Sequence, residues 1–421
     1  MPEGNIYQPP TGGRDLLPLD VVQKRWIEDR LEQVFHRWGY HRIITSTVET
    51  MDTLMAGGAI QRVEVIELQI GQVGEQRLGL RPELTASIAR AAVTRLASVT
   101  YPQRLYYNAN VFRRSAQGSR GGQQEYHQAG IELLGASGLM ADAEALLLLG
   151  DCLGAMSLSD ATIVLGEAAL TYSLLSPFPK EIREQVRHRI ADLDQVALEE
   201  MALSDELRSL ALRLMNLRGD PTAVLAKLDS FDLDEGQRAI AFQLKSLIDL
   251  LNQQRKQGIT VPAIVLDLSL IRPFDYYTGI VFEVVSNGRR QILGQGGRYD
   301  DLLAVYDARE AGKTQEKTKG FPGIGFVLNT ESLHQELLPS GQLPSKIPPS
   351  DWLIVPKSES AATAALDYAQ KVRQSAAAVR VEMSLDLAQS AADVKAIARK
   401  RNITRIAWIS DRGLPEIEIV N

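Results

Sequence analysis

Apolar residues at 22, 26, 31, 35 and 38 recur at helical spacing, so residues 21–38 are predicted to form an amphipathic helix that Gly39 stops. The pattern then shortens. Residues 43–48 and 63–70 read as strands, 83–97 as a helix, and 104–112 with 126–134 as a strand pair. Between that pair lies a polar, Gly- and Arg-rich loop, residues 113–124, able to bring backbone donors and guanidinium groups close to an anion. Helical periodicity dominates from about 171 to 257, with amphipathic helices predicted at 181–201 and 235–254. Strand signals return at 261–268 and 280–285, followed by a polar loop at 313–319. Residues 338–350, with four prolines, read as a linker. Beyond it, strands at 352–355, 379–383, 405–409 and 417–420 alternate with helices at 361–374 and 388–401.

This order predicts an α+β protein in four parts: a main domain from residues 1–170 and 259–335, a helical insertion at 171–258, a linker at 336–350 and a small α/β domain at 351–421. A length of 421 residues exceeds one ordinary core and agrees with two or three domains. The 45% hydrophobic and 23% charged content is that of a globular protein, and a net charge of −6 argues against a general nucleic-acid coat. Cys152, the only cysteine, falls in an apolar helical run, which excludes disulfide frameworks and cysteine-based zinc sites. The five histidines are scattered, so no metal and no cofactor is expected. The start of the chain lacks a signal-peptide pattern and the apolar run near residues 145–149 is too short to span a bilayer, so a cytoplasmic protein is expected.

Three polar clusters carry the candidate chemistry. Ile271 to Glu283 contains Arg272, Asp275, Tyr276, Tyr277 and Thr278, followed by Gly296-Gly297-Arg298-Tyr299-Asp300. A cation, a carboxylate and several phenols suit a small zwitterion, with Arg for its carboxylate and Tyr or Asp for ring nitrogens or an ammonium. Gln128 and Glu132 lie four apart on a predicted strand and so project from one face; a buried Glu there needs a cation, internal or bound. His127 should point the opposite way. Arg81-Pro82-Glu83-Leu84-Thr85 forms the third cluster, which by itself reads equally well as a capped helix start. Arg113-Arg114 alone would most simply be a solvated basic turn.

Together, Arg-Pro-Glu-x-Thr, His-Gln-x-Gly-x-Glu-x-x-Gly, Arg-x-x-Asp-Tyr-Tyr-Thr-Gly and Gly-Gly-Arg-Tyr-Asp occur in the order and approximate spacing of histidyl-tRNA synthetases. The resemblance runs from about Thr11 to Leu333 and implies the class II aminoacyl-tRNA synthetase-like fold, an antiparallel sheet flanked by helices, in a dimer. It implies a histidine site at Glu83, Thr85, Arg113, Gln128, Glu132, Tyr276, Tyr277 and Tyr299, with Arg272 facing the amino acid carboxylate.

The departures are systematic. Arg113-Arg114-Ser115 stands where the synthetases have Arg-x-Glu, and the following loop is one residue longer, with Arg120 nearest to their ATP-facing arginine. Asn329-Thr330-Glu331-Ser332 replaces Gly-Leu-Glu-Arg, and a serine cannot stand in for a planar bidentate cation. Ser46 replaces the motif 1 proline, and Pro273-Phe274 follows Arg272 in place of Gly-Leu.

An amino acid pocket without its ATP clamp resembles the histidyl-tRNA synthetase paralogues that serve as regulatory subunits of ATP phosphoribosyltransferase. That resemblance implies no catalysis by this chain and no catalytic residues. It implies partnership with a short-form phosphoribosyltransferase catalytic subunit, L-histidine as feedback effector, and little call for nucleic acid or membrane. The tail resembles a shortened anticodon-binding-like domain. An active histidyl-tRNA synthetase, or a synthetase-like tRNA- or amino-acid-sensing module, is the alternative.

Overall fold

The computed structural model describes residues 7–10, 12–58, 60–69, 76–114, 122–270, 277–307, 321–376, 378–387 and 389–420. The chain divides into two compact units, Met1–Pro344 and Ser345–Asn421.

The first unit is organised by a nine-stranded sheet. Across it run His41–Arg42, Gln103–Phe112, Glu125–Leu134, Gly323–Asn329, Ile292–Arg298, Ile280–Val285, Thr162–Glu167, Ala263–Asp267 and Arg218–Gly219. The pairings are antiparallel except at the first and between Thr162–Glu167 and Ala263–Asp267. Period-two alternation sorts its side chains. Tyr106, Ile131, Leu133 and Ile324 face a large core, built with the helices Pro18–Arg37 and Leu139–Ala155 and with the helices between residues 168 and 256. Leu105, Tyr107 and Leu134 face a smaller core with Leu84, Ile88, Val93, Tyr299 and Leu303.

Local chemistry explains the helix ends. Pro18 occupies the first turn of Pro18–Arg37, where its missing N–H costs nothing, and Asp20 accepts from the Leu17 N–H at 2.9 Å. Ile27, Leu31, Val34 and Phe35 form its buried stripe. The predicted helix at 181–201 is two, Lys180–Ala191 and Gln195–Glu200. Leu193 between them adopts φ 56°, and the Asp194 carboxylate caps the second at Ala197 N.

The strand predicted at 43–48 is largely irregular. The buried Arg81 guanidinium donates to the carbonyls of Thr45, Ser46 and Asn110 (2.9–3.1 Å), so these carbonyls bond a side chain instead of a neighbouring strand. Residues 62–64 form a 3-10 turn before a short strand, Ile66–Leu68, which joins Val48–Thr50 and Leu78–Leu80 in a three-stranded sheet.

The second unit is a four-stranded sheet with two helices, Ala362–Ser375 and Ala391–Lys400. Val381–Met383, Trp352–Pro356 and Arg405–Ile409 run parallel, and Pro415–Ile419 closes one edge antiparallel. No helix among the described residues is long and apolar enough to cross a membrane.

Candidate functional site

The sheet face opposite the large core carries a narrow cavity of about 40 Å³. The register builds it. Glu132 pairs with Gly325 on one side and Leu105 on the other, while Gln128 pairs with Asn329 and Ala109. Gln128 and Glu132 therefore share the cavity wall, as their spacing predicts. Glu83, Thr85, Arg113, Tyr277 and Tyr299 join them from the helix start, the end of one hairpin strand and the far strands. Seven of the nine predicted residues are thus brought together; Arg272 and Tyr276 lie outside the described residues, as do Ser115 and Arg120. Tyr107 and Gln295 also line the cavity and carry no local motif in the sequence, and Gly296 of the Gly-Gly-Arg-Tyr-Asp motif joins them.

Glu132 sits on the floor, only 2% exposed. Thr85 Oγ1 donates to its Oε1 at 2.8 Å and Tyr299 OH donates to its Oε2. No lysine or arginine hydrogen-bonds to it among the described residues. Burial therefore dominates, pushing its carboxyl up to about 8 against the two hydroxyl bonds, with repulsion from Glu83 adding to the rise. Gly325 makes room for it: a Cβ there would stand 2.0 Å from Glu132 Oε2 and 2.5 Å from Ile131 O.

Glu83 does two jobs. Its carboxylate accepts from Thr85 N (2.6 Å) and Ala86 N (2.9 Å), capping the helix Thr85–Thr94, and it also lines the cavity. Burial raises its carboxyl despite those bonds and the nearby Arg113 charge. Arg113 is half-buried and donates through Nε to Pro82 O at 3.0 Å, which ties the hairpin to the Glu83 turn. Burial also holds the Tyr107 phenol far above its ordinary range. The lining offers carboxyl and amide acceptors opposite a guanidinium and phenols. That arrangement can bind a zwitterion.

Strand alternation separates the rest of the motifs. Arg298, next to Tyr299, points to the other face, where Asp142 takes its Nε and Nη2 (2.9 and 2.6 Å) and Asp300 its Nη1 (2.9 Å). His127 likewise turns away and meets Glu331 through its ring and backbone N–H (3.1–3.2 Å). Arg14 completes this cluster at 2.9 Å. Burial alone would raise Glu331; the His127 bonds hold it below the usual carboxylate range. Ser332 N is capped by Asn329 Oδ1 at 3.0 Å, and Ser332 does not line the cavity.

Residues 12–333 match the family model described as histidyl-tRNA synthetase. ATP phosphoribosyltransferase regulatory subunits from Nostoc punctiforme and from a Nostoc species are each 54% identical to this chain. They align over 98% and 99% of it and over 99% and 100% of their own lengths. Among solved structures, a Bacillus halodurans protein described as an ATP phosphoribosyltransferase regulatory subunit/histidyl-tRNA synthetase superposes with a TM-score of 0.78. It is 25% identical and covers 96% of this chain and 98% of its own. A histidyl-tRNA synthetase from the second of those Nostoc strains shares the fold (TM-score 0.75, 98% and 97% coverage) at 20% identity.

Proposed function

The chain belongs to the family of ATP phosphoribosyltransferase regulatory subunits, built on the histidyl-tRNA synthetase fold, and from that membership we propose how it works. It serves histidine biosynthesis as a regulatory subunit. We infer that it associates with a short-form catalytic subunit, which joins ATP to phosphoribosyl pyrophosphate in the cytosol, and that it self-associates as a dimer. L-histidine is its feedback effector and binds the cavity at Glu132. Glu83, Gln128 and Glu132 accept the ligand's N–H groups, Thr85 and Tyr299 hold Glu132 in place, and Tyr276 and Tyr277 contribute to the same site. Arg113 and Arg272 take the carboxylate.

One observation carries this reading: Glu132 is a buried carboxyl with hydroxyl partners and no cation bonded to it among the described residues, a combination that a bound ammonium or imidazolium would relieve. At about 40 Å³ the cavity is smaller than an amino acid, so entry of histidine requires its wall to move. That movement couples the site to the partner only if histidine binds the two conformations unequally.

The competing reading is an active synthetase, favoured by the retained Arg113. Against it stand Ser332 in place of the triphosphate-binding arginine and the contrast between 54% identity to a regulatory subunit and 20% to a synthetase of one strain. Isothermal calorimetry with L-histidine and histidine-dependent ATP–pyrophosphate exchange separate the two. The regulator binds histidine and shows no exchange; exchange above background establishes the synthetase.

A further inference from the structure

The helix-covered face of the sheet holds a second cavity, about 390 Å³, within the range of small-molecule sites. One wall is apolar: Ile240, Leu244 and Leu247 form a single stripe of the helix Glu235–Lys256. The other wall is acidic. It bears Glu167, Asp142 and Asp300 against one cation, Arg298.

Every nitrogen of that guanidinium already donates within the protein, Nε and Nη2 to Asp142 Oδ1 and Nη1 to Asp300 Oδ1 and Ala136 O. That leaves one N–H of Nη2, and the rest of what this wall offers is acceptor capacity. Glu167 is 5% exposed, and its Oε2 caps the following helix at Leu170 N while its Oε1 has no hydrogen-bond partner among the described residues. Asp142 and Asp300 each use one oxygen on Arg298. The start of the helix Leu139–Ala155 also opens here, but Asp142 in its first turn already occupies that positive end, which disfavours an anion. Burial raises Asp142 even against the Arg298 charge, and raises Glu167, which has only the Leu170 N–H against it, to about 7.

We propose that this cavity binds a small amphipathic primary amine, its ammonium against Glu167 and the outer oxygens of Asp142 and Asp300 and its hydrocarbon along Ile240, Leu244 and Leu247. The site lies on the opposite face from the Glu132 cavity and does not depend on histidine.

The test uses the full chain with methyl-labelled Leu and Ile, titrated with isoamylamine and with isoamyl alcohol as the uncharged control. The amine should shift the Leu244, Leu247 and Ile240 methyls saturably, and the alcohol should bind at least tenfold more weakly. Glu167→Gln, which keeps an acceptor for Leu170 N, should weaken the amine at least tenfold, and Ile240→Trp should block it. Glu132→Gln, on the opposite face, should leave the isoamylamine shifts at these methyls as they are. Equal binding of amine and alcohol, amine binding undiminished in Glu167→Gln, or no shift at these methyls would overturn the proposal.

Discussion

Replacing Glu132 by Gln should make the protein more stable at neutral and alkaline pH while removing its response to histidine. In the folded chain the Glu132 carboxyl is raised from 4.5 to about 8, so folding holds a proton that the unfolded chain releases. Stability from such a group is fully present below the unfolded value and is lost as pH rises through the folded one. The gap corresponds to about 5 kcal/mol in all, of which about 3 to 4 kcal/mol is lost between pH 5 and pH 8. Gln is neutral throughout. Its carbonyl can accept from Thr85 Oγ1 and its amide can donate to Tyr299 OH, so both hydroxyls keep a partner. Urea titrations from pH 5 to pH 8 should show a steeper fall for the wild type than for Glu132→Gln, by about one proton. The raised Glu167 contributes equally to both and cancels. Saturating histidine should raise the wild-type melting temperature and leave that of the variant unmoved. Parallel pH profiles, or undiminished histidine affinity in the variant, would refute the assignment of Glu132 as the buried acid awaiting a ligand cation.

Other consequences are open to direct measurement. Because Glu132 must ionise to meet an ammonium, histidine affinity should improve about fivefold between pH 7 and pH 8, as the ionised fraction grows from about a tenth to a half; calorimetry at the two values checks it, and a flat profile contradicts it. Glu83→Ala should cost about 1 kcal/mol through loss of the helix cap in addition to weakening histidine, so its denaturation midpoint falls even without ligand. Gly325→Ala should abolish binding and destabilise by about 1–3 kcal/mol, since the added methyl meets Glu132 and the Ile131 carbonyl. Arg298→Met should cost about 2–4 kcal/mol, because it removes the buried guanidinium that pairs with the part-buried Asp142, and thermal denaturation would report it.

The chemistry of the site was readable where it rides on strand period. Gln128 and Glu132, four residues apart, had to share a face, and His127 had to leave it. The same alternation separates Arg298 from Tyr299, which adjacency in the sequence invited one to join. Three central strands, Thr162–Glu167, Ile292–Arg298 and Gly323–Asn329, gave no clear signal. Two of them are rich in glycine, which ordinarily marks turns. Here glycine serves close approach: a Cβ at Gly296 would stand 2.4 Å from the Gly325 carbonyl, and one at Gly325 would strike Glu132. Tyr107 and Gln295 reach the cavity through pairings distant in sequence, which no local pattern encodes. Arg81 misled in a further way, because a side chain took over the backbone partners of residues 45 and 46 that a strand would have supplied. The ATP-site departures were legible only against the synthetase motifs, since Asn329 to Ser332 in isolation is an unremarkable helix start, and that is how it folds.

We propose that this chain makes a catalytic partner both active and sensitive to histidine. The most direct measurement mixes the full chain with the short-form ATP phosphoribosyltransferase encoded in the same genome and follows phosphoribosyl-ATP formation while L-histidine is titrated. Activity should require the chain and fall as histidine rises, with inhibition lost in Glu132→Gln. Activity of a verified partner that is indifferent to the chain and to histidine would contradict it.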